Sequence, residues 1–476
     1  MDKVTLERFY RTYLPAMRDQ AAALFVGAGL SKASGFVDWK ELLREIATDL
    51  GLDVEFETDL VALAQYHVNE ARGRGDLNQL LVNEFTRNVE LTENHHLIAQ
   101  LPIAAVWTTN YDDLLEQAYR ERQRRCDVKI TKDNLAFTLP WRDVTLYKMH
   151  GDIHHPDGAV LTKEDYDNYN DKRQAFSSAL QGDLVSKTFL FLGFSFEDPN
   201  IDYILARIWV LLGQNRRQHF CIMKEVKTPE GAIAEQQADY DYKKRKQALR
   251  IADLRRYGIE TLLIDDYGQV TKILRELVRR ANLTNVLISG SAHEYGAFGK
   301  DRLEALATAI AKKAIEKDMN LISGYGLGIG GCVIRGAMAA ARNNNMPFSE
   351  RLRLWPFPTG GARDPALWGK WREHMIDLAG FVIFLAGNKL ENNNVVLATG
   401  VEEEFALTAA KGRYPIPVGA TGYTAERIWK DVNSRLDKLY PGLAVQGPFR
   451  VLGNPNASTE AIVEAVFEIV RLAGGL

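Results

Sequence analysis

The segment LFVGAGLS, Leu24–Ser31, is an apolar strand that runs into a glycine-bearing turn and then a helix. A chain that does this can present backbone N–H groups to a diphosphate, because side chains at Gly27 and Gly29 would block its approach. Two later segments also end short apolar strands on polar groups. TTNYD, Thr108–Asp112, ends on Asn110, and KMHGD, Lys148–Asp152, ends on His150. Strand ends beside such a turn are where an open α/β sheet does its chemistry. A GxG turn alone says little, whereas the three segments in this order point to one site.

The 476 residues are too many for one ordinary core, and two to about three domains are expected. Short apolar runs alternate with helical periods, which is a doubly wound pattern. Strands are predicted at Ala23–Val26, Ala104–Thr108, Val144–Met149, Thr188–Phe194, His219–Met223 and Thr261–Ile264. Helices are predicted at Trp39–Leu50, Ile201–Leu212 and Ala232–Arg256, and over about residues 164–185. Residues from about 57 to 101 carry helical periods and no strand, and read as a helical insertion. A second beginning follows at Leu283. Val286–Ser291 is again strand then small polar turn, with further strands predicted at Asn320–Ser323, Leu352–Trp355, Phe381–Leu385 and Ile416–Val418. The expected architecture is therefore two Rossmann-like parallel-sheet domains, residues 1–282 and 283–476, the first with the insertion.

Composition narrows the function. Net charge is −3, from 59 basic and 62 acidic residues, without the basic excess of a nucleic-acid binder. No apolar run has the roughly 18–20 residues of a membrane span, and the charged start MDKVTLERFYRTYL is no signal peptide. The three cysteines, Cys126, Cys221 and Cys332, are scattered as in a reducing cytoplasm, where the chain is expected to reside. No metal site is expected.

GAGLS, TTNYD and KMHGD, with GFSFEDPN at Gly193–Asn200, resemble the sirtuin family of NAD-consuming enzymes. The resemblance implies that Gly27, Ala28, Gly29 and Ser31 line the NAD+ diphosphate, and that Gly193 and Ser195 meet the adenosine ribose. It puts Asn110 beside the nicotinamide ribose and makes His150 the base, with Asp112 and Asp198 in support. The chemistry is consistent with those residue types. Loss of nicotinamide builds positive charge on the ribose, and a neutral amide can orient a water or hydroxyl without trapping a cation. An imidazole, with an unperturbed pKa of ~6.5, can accept a proton at cellular pH. The chain departs from classical sirtuins in lacking any CxxC pair, so no structural zinc is expected. That weakens the case for a protein deacylase or ADP-ribosyltransferase and favours water as the acceptor.

The second half carries ISGSA, Ile288–Ala292, SGYGLGIGG, Ser323–Gly331, and ATGVEEEF, Ala398–Phe405. These resemble the SLOG family of nucleotide-ligand domains. The resemblance implies a ligand site from Ser289, Gly290, Gly326 and Glu404, with Arg372 and Lys389 as cations for an anionic nucleotide. ATGVEEEF lacks the full glycine run of the catalytic SLOG relatives, which favours sensing over catalysis. A sirtuin-like unit joined to a SLOG unit resembles the effector family of the Thoeris antiphage system. That implies an NAD+ hydrolase switched on by a cyclic ADP-ribose isomer from a TIR-domain partner. It also implies a homotetramer built through the first domain.

Overall fold

A computed structural model describes residues 5–474 except 195, 197–200, 202–203, 207–212, 214–216, 228–233, 344–350 and 358–363. The chain divides into two compact units, Met1–Val278 and Arg279–Leu476. Both are α/β with parallel sheets.

The first unit holds seven strands: β1 Ala22–Val26, β2 Ala105–Thr108, β3 Cys126–Lys129, β4 Val144–Lys148, β5 Thr188–Leu192, β6 His219–Lys224 and β7 Ile259–Ile264. They lie in the order β3-β4-β2-β1-β5-β6-β7, every pair parallel. β1 and β5 are buried along their whole length, as strands covered on both faces must be. The order reverses at β1, whose neighbours are β2 and β5. The register brings the strand ends level: Val26 lies beside Thr108 and Leu192, and Thr108 beside Lys148. The residues that follow β1, β2, β4 and β5 therefore start side by side. Helices Leu60–Glu70, Gly75–Phe85 and Glu93–Gln100 fill the stretch between β1 and β2.

The second unit has a five-stranded sheet of β8 Asn285–Ser291, β9 Asn320–Ser323, β10 Leu352–Leu354, β11 Phe381–Ala386 and β14 Tyr414–Pro417. Its order is β10-β9-β8-β11-β14, again parallel throughout. β12 Asn388–Glu391 and β13 Asn394–Leu397 form a separate antiparallel hairpin. Helix Lys300–Glu316 buries Leu303, Leu306, Ala307, Ile310, Ala311 and Ala314, a repeat of three and four that gives one apolar stripe.

Some elements differ from the sequence expectation. β3 was not expected, because Arg-Arg-Cys-Asp-Val-Lys is charged and only alternate residues are buried at this sheet edge. The hairpin was missed because its apolar residues are half exposed. The helix expected over Trp39–Leu50 is two short helices, Trp39–Leu42 and Arg44–Asp49, parted at Leu43 with φ −88° and ψ 4°. Most of the helix expected over Ile201–Leu212 lies outside the described residues.

The glycines after β1 have a different immediate cause from the one expected. Gly27 and Gly29 donate their N–H groups to Leu192 O and Gly193 O, each at 2.9 Å. A Cβ on Gly27 would lie 2.5 Å from Gly193 O, and one on Gly29 2.8 Å from Gly193 Cα. Gly193 itself has φ +61°, and its Cβ would lie 2.8 Å from Leu30 N. The turns after β1 and β5 therefore interlock backbone to backbone, and the two glycine amides are used there.

Gly27→Ala and Gly193→Ala are each expected to lower stability by about 1–3 kcal/mol through overpacking and, at Gly193, an unfavourable φ. Urea unfolding measures this. Wild-type stability with weakened nucleotide binding alone would mean that ligand access, not packing, requires these glycines.

Candidate functional site

The turn after β2 sets the first site. Asn110 N–H donates to Thr108 Oγ1 at 3.0 Å, which folds the chain back on itself. The Asn110 side-chain NH₂ then donates to Gly27 O at 3.1 Å and Ser31 Oγ at 2.7 Å. The Ser31 hydroxyl in turn donates to Asp112 Oδ2 at 2.6 Å, and Asp112 Oδ1 accepts from Leu114 N–H. Both amide hydrogens of Asn110 are thus spent, which fixes which end of the amide is the acceptor. Its Oδ1 is buried and has no hydrogen-bond partner among the described residues. An acceptor left in this way is suited to a water or a sugar hydroxyl. Burial raises the Asp112 pKa, and the Ser31 hydrogen bond and Lys148 oppose the rise.

His150 follows β4 and is buried. Its carbonyl accepts from Val160 N–H at 2.8 Å, and its ring stands edge-on to Tyr166 and Tyr169. Tyr169 OH anchors the preceding residue by donating to Met149 O. Asn110 and His150 line one cavity of about 890 Å³, together with Ala28, Gly29, Ser31, Asp112 and Gly193. Gly27 stands behind this lining, in the interlocked turns. Ser195 and Asp198 lie outside the described residues.

Sequence reading gave no role to the group that joins the segments carrying Asn110 and His150. Lys148, the last residue of β4, is completely buried. Its ammonium donates to Tyr111 O at 3.1 Å, Asp112 O at 2.7 Å and Glu116 Oε1 at 3.0 Å, and also to Asp152 Oδ2. One cation therefore ties the segment carrying Asn110 to the segment carrying His150. Burial would strip its proton, but Glu116 and Asp152 outweigh that and hold its pKa above the ordinary value. Burial pushes Glu116 up to about 7 against the pull of Lys148. The signal available in sequence was a lysine closing an apolar strand with an acid one helical turn later. The cavity's aromatic lining, Trp39, Phe85, Tyr111, Tyr166 and Phe194, was also missed. It comes from helices and turns distant in sequence.

In the second unit Ser289, Glu404 and Arg372 come together. Ser289 Oγ, near the end of β8, donates to Glu404 Oε2 at 2.5 Å. Glu404 Oε1 lies 3.7 Å from Arg372 Nε, and Arg372 Nη1 donates to Glu403 Oε2 at 2.6 Å. Burial raises the Glu404 pKa, opposed by Ser289 and Arg372. Gly290 and Gly326 pack so closely that a Cβ on Gly326 would lie 1.9 Å from Gly290 O. Lys389, on the hairpin, reaches Thr399 Oγ1 at 3.4 Å and Glu391 Oε2 at 3.0 Å. The hairpin carries this lysine to the start of the helix Thr399–Ala410.

Comparison with known proteins covers both units. A family model described as SIR2-like domain matches residues 104–250, and one described as STALD, the Sir2- and TIR-associating SLOG family, matches residues 269–473. The chain is 43% identical to the NAD(+) hydrolase ThsA of Bacillus cereus (strain MSX-D12), over 98% of each chain. It is 40% identical to that of Cytobacillus dafuensis, over 98% of this chain and 96% of the relative. Against that of Enterococcus faecium it is 41% identical over 100% and 99%.

The raised Glu116 pKa has a definite sign. A carboxyl whose folded pKa exceeds its unfolded value favours the fold at low pH, and this contribution is lost as pH rises through the folded pKa. Relative to Glu116→Gln, the wild type is expected to lose stability as pH rises from about 4.5 to about 7, with little change outside that window. Urea midpoints of both proteins across pH measure the difference. A constant difference would show that Glu116 is ionised throughout.

Proposed function

Because the chain belongs to the ThsA family of NAD+ hydrolases, we propose that it releases nicotinamide from NAD+ in the cavity at the ends of β1, β2, β4 and β5. The observation that carries this reading is the unpartnered Oδ1 of Asn110 in the same cavity as His150. Ala28, Gly29, Ser31 and Gly193 line the path of the diphosphate and ribose. As the glycosidic bond breaks, positive charge grows on the ribose carbon. Asn110 Oδ1 accepts from the attacking water or a ribose hydroxyl, and His150 receives the proton. Ser31 and Asp112 hold the Asn110 amide in place. The products are ADP-ribose, nicotinamide and a proton.

Such an activity, unrestrained, would empty its own cell of NAD+. We infer that a cyclic ADP-ribose isomer bound at Ser289, Gly290, Gly326, Arg372, Lys389 and Glu404 switches it on, as part of Thoeris antiphage defence. The family description of the second unit, with its TIR association, supports a TIR-domain partner as the source. Moving a site from 1% to 99% active needs about 5.5 kcal/mol of differential affinity. Assembly into a homotetramer through the first unit would sharpen that response. Action in the cytoplasm, where NAD+ is drawn down, is part of this reading; among the described residues no helix is long and apolar enough to cross a membrane.

NAD+ hydrolysis measured with and without cyclic ADP-ribose isomers tests both halves. His150→Ala and Asn110→Ala are each expected to lower the activated rate about 10²–10⁴-fold, or roughly 3–5 kcal/mol of barrier. Wild-type turnover in either variant would refute the assignment. Arg372→Ala and Glu404→Ala are expected to abolish activation, and full activity without ligand would sink the sensor reading.

A further inference from the structure

Both cations of the second site already have carboxylate partners supplied by the chain. Lys389 sits 3.0 Å from Glu391, and Arg372 donates to Glu403 at 2.6 Å. The arginine pair is the more tightly built. The Arg372 side chain is 12% exposed and that of Glu403 is 57% exposed, so the acid forms the open side of the pair. On its other sides the guanidinium is confined. Its carbon lies 5.1 Å from the centre of the Phe357 ring, and its Nε faces buried Glu404 at 3.7 Å. A Cβ on Gly400 would come within 2.6 Å of Nη2, so the arginine lies against bare backbone there. Among the described residues, the movable neighbour that a phosphate would replace to meet Arg372 is Glu403.

We propose that Glu403 is an internal counter-ion that occupies Arg372 until an anionic nucleotide displaces it, and that this competition sets the ligand threshold. The proposal rests on the second unit being a nucleotide site. Glu404 and Glu403 then have separate tasks despite being adjacent. Glu404 is buried and held by Ser289, and remains as part of the site wall. Glu403 is the exposed member of the pair and can turn into solvent, while the largely buried Arg372 needs another anion in its place, so the release of Glu403 is coupled to the arrival of the ligand. Its charge also discriminates. A weakly bound polyanion that meets only Arg372 gains nothing over the carboxylate it replaces, whereas a ligand that engages the whole site does.

The test is calorimetric titration of the full-length protein with cyclic ADP-ribose, its ring isomers and linear ADP-ribose, comparing wild type with Glu403→Gln. Glutamine keeps the size and removes the charge at an exposed position. The variant is expected to bind the isomer that the wild type recognises about three- to tenfold tighter, with a smaller gap at high salt. It is also expected to gain measurable affinity for linear ADP-ribose. Equal or weaker binding by Glu403→Gln, with the wild type binding normally, would overturn the counter-ion role and leave the sensor reading standing. Failure of every isomer to bind either protein would remove the nucleotide reading itself, and the counter-ion role with it.

Discussion

The first site depends on one buried ammonium. Lys148 holds two main-chain carbonyls of the Asn110 segment and one carboxylate of the His150 segment, and it does so with no exposure to solvent. Removing a partner from such a cluster leaves an uncompensated buried charge, which costs far more than the net value of the pair. The cluster therefore specifies geometry more than it adds stability. If the segment after β2 were to move relative to the segment after β4, an ammonium hydrogen bond would have to break inside the protein. That is how two short turns, on adjacent but separate strands, keep an amide and an imidazole facing one cavity.

The sheet delivers those turns to the same level. Parallel strands in register end together, so Gly27, Asn110, His150 and Gly193 follow four neighbouring strand ends. This part was legible in the sequence, since each site motif directly follows an apolar run. The reason for the glycines was not. A GxG turn looks the same whether it makes room for a phosphate or for another turn, and only the approach of Gly193 shows that the backbone itself takes up the space. Nor could the sequence reveal the Asn110–Ser31–Asp112 chain, which joins side chains about 80 positions apart.

In the second unit the strands and glycine segments were legible for the same reason, and so was Glu404, while Glu403 and Glu391 were not. Arg372 and Lys389 could be singled out as cations, but not the exposed acids that pair with them. Glu403 and Glu404 are adjacent in sequence and face different surroundings, one half in solvent and one buried against Ser289. The hairpin that carries Lys389 has no strong strand signal, because its Asn-rich turn and half-exposed valines read as loop. Sequence pattern reports burial well and reports charge pairing poorly, since pairing depends on where unrelated helices meet.

The two groups differ in how their charges are compensated. Asp38, Asp59, Asp112 and Asp167 line the first cavity, with Lys163 as the cation among its lining residues. Such a field does little to hold an anionic dinucleotide in its ground state. It does favour the positive charge that develops on the ribose as nicotinamide leaves. Interactions that strengthen only in the transition state raise turnover, whereas uniform binding does not. In the second unit Arg372 and Lys389 are each paired with a carboxylate, Glu403 at 2.6 Å and Glu391 at 3.0 Å, so an anion would have to compete with those acids for them. An acidic lining favours a developing cation, whereas a compensated ion pair stays neutral until something takes the place of its acid.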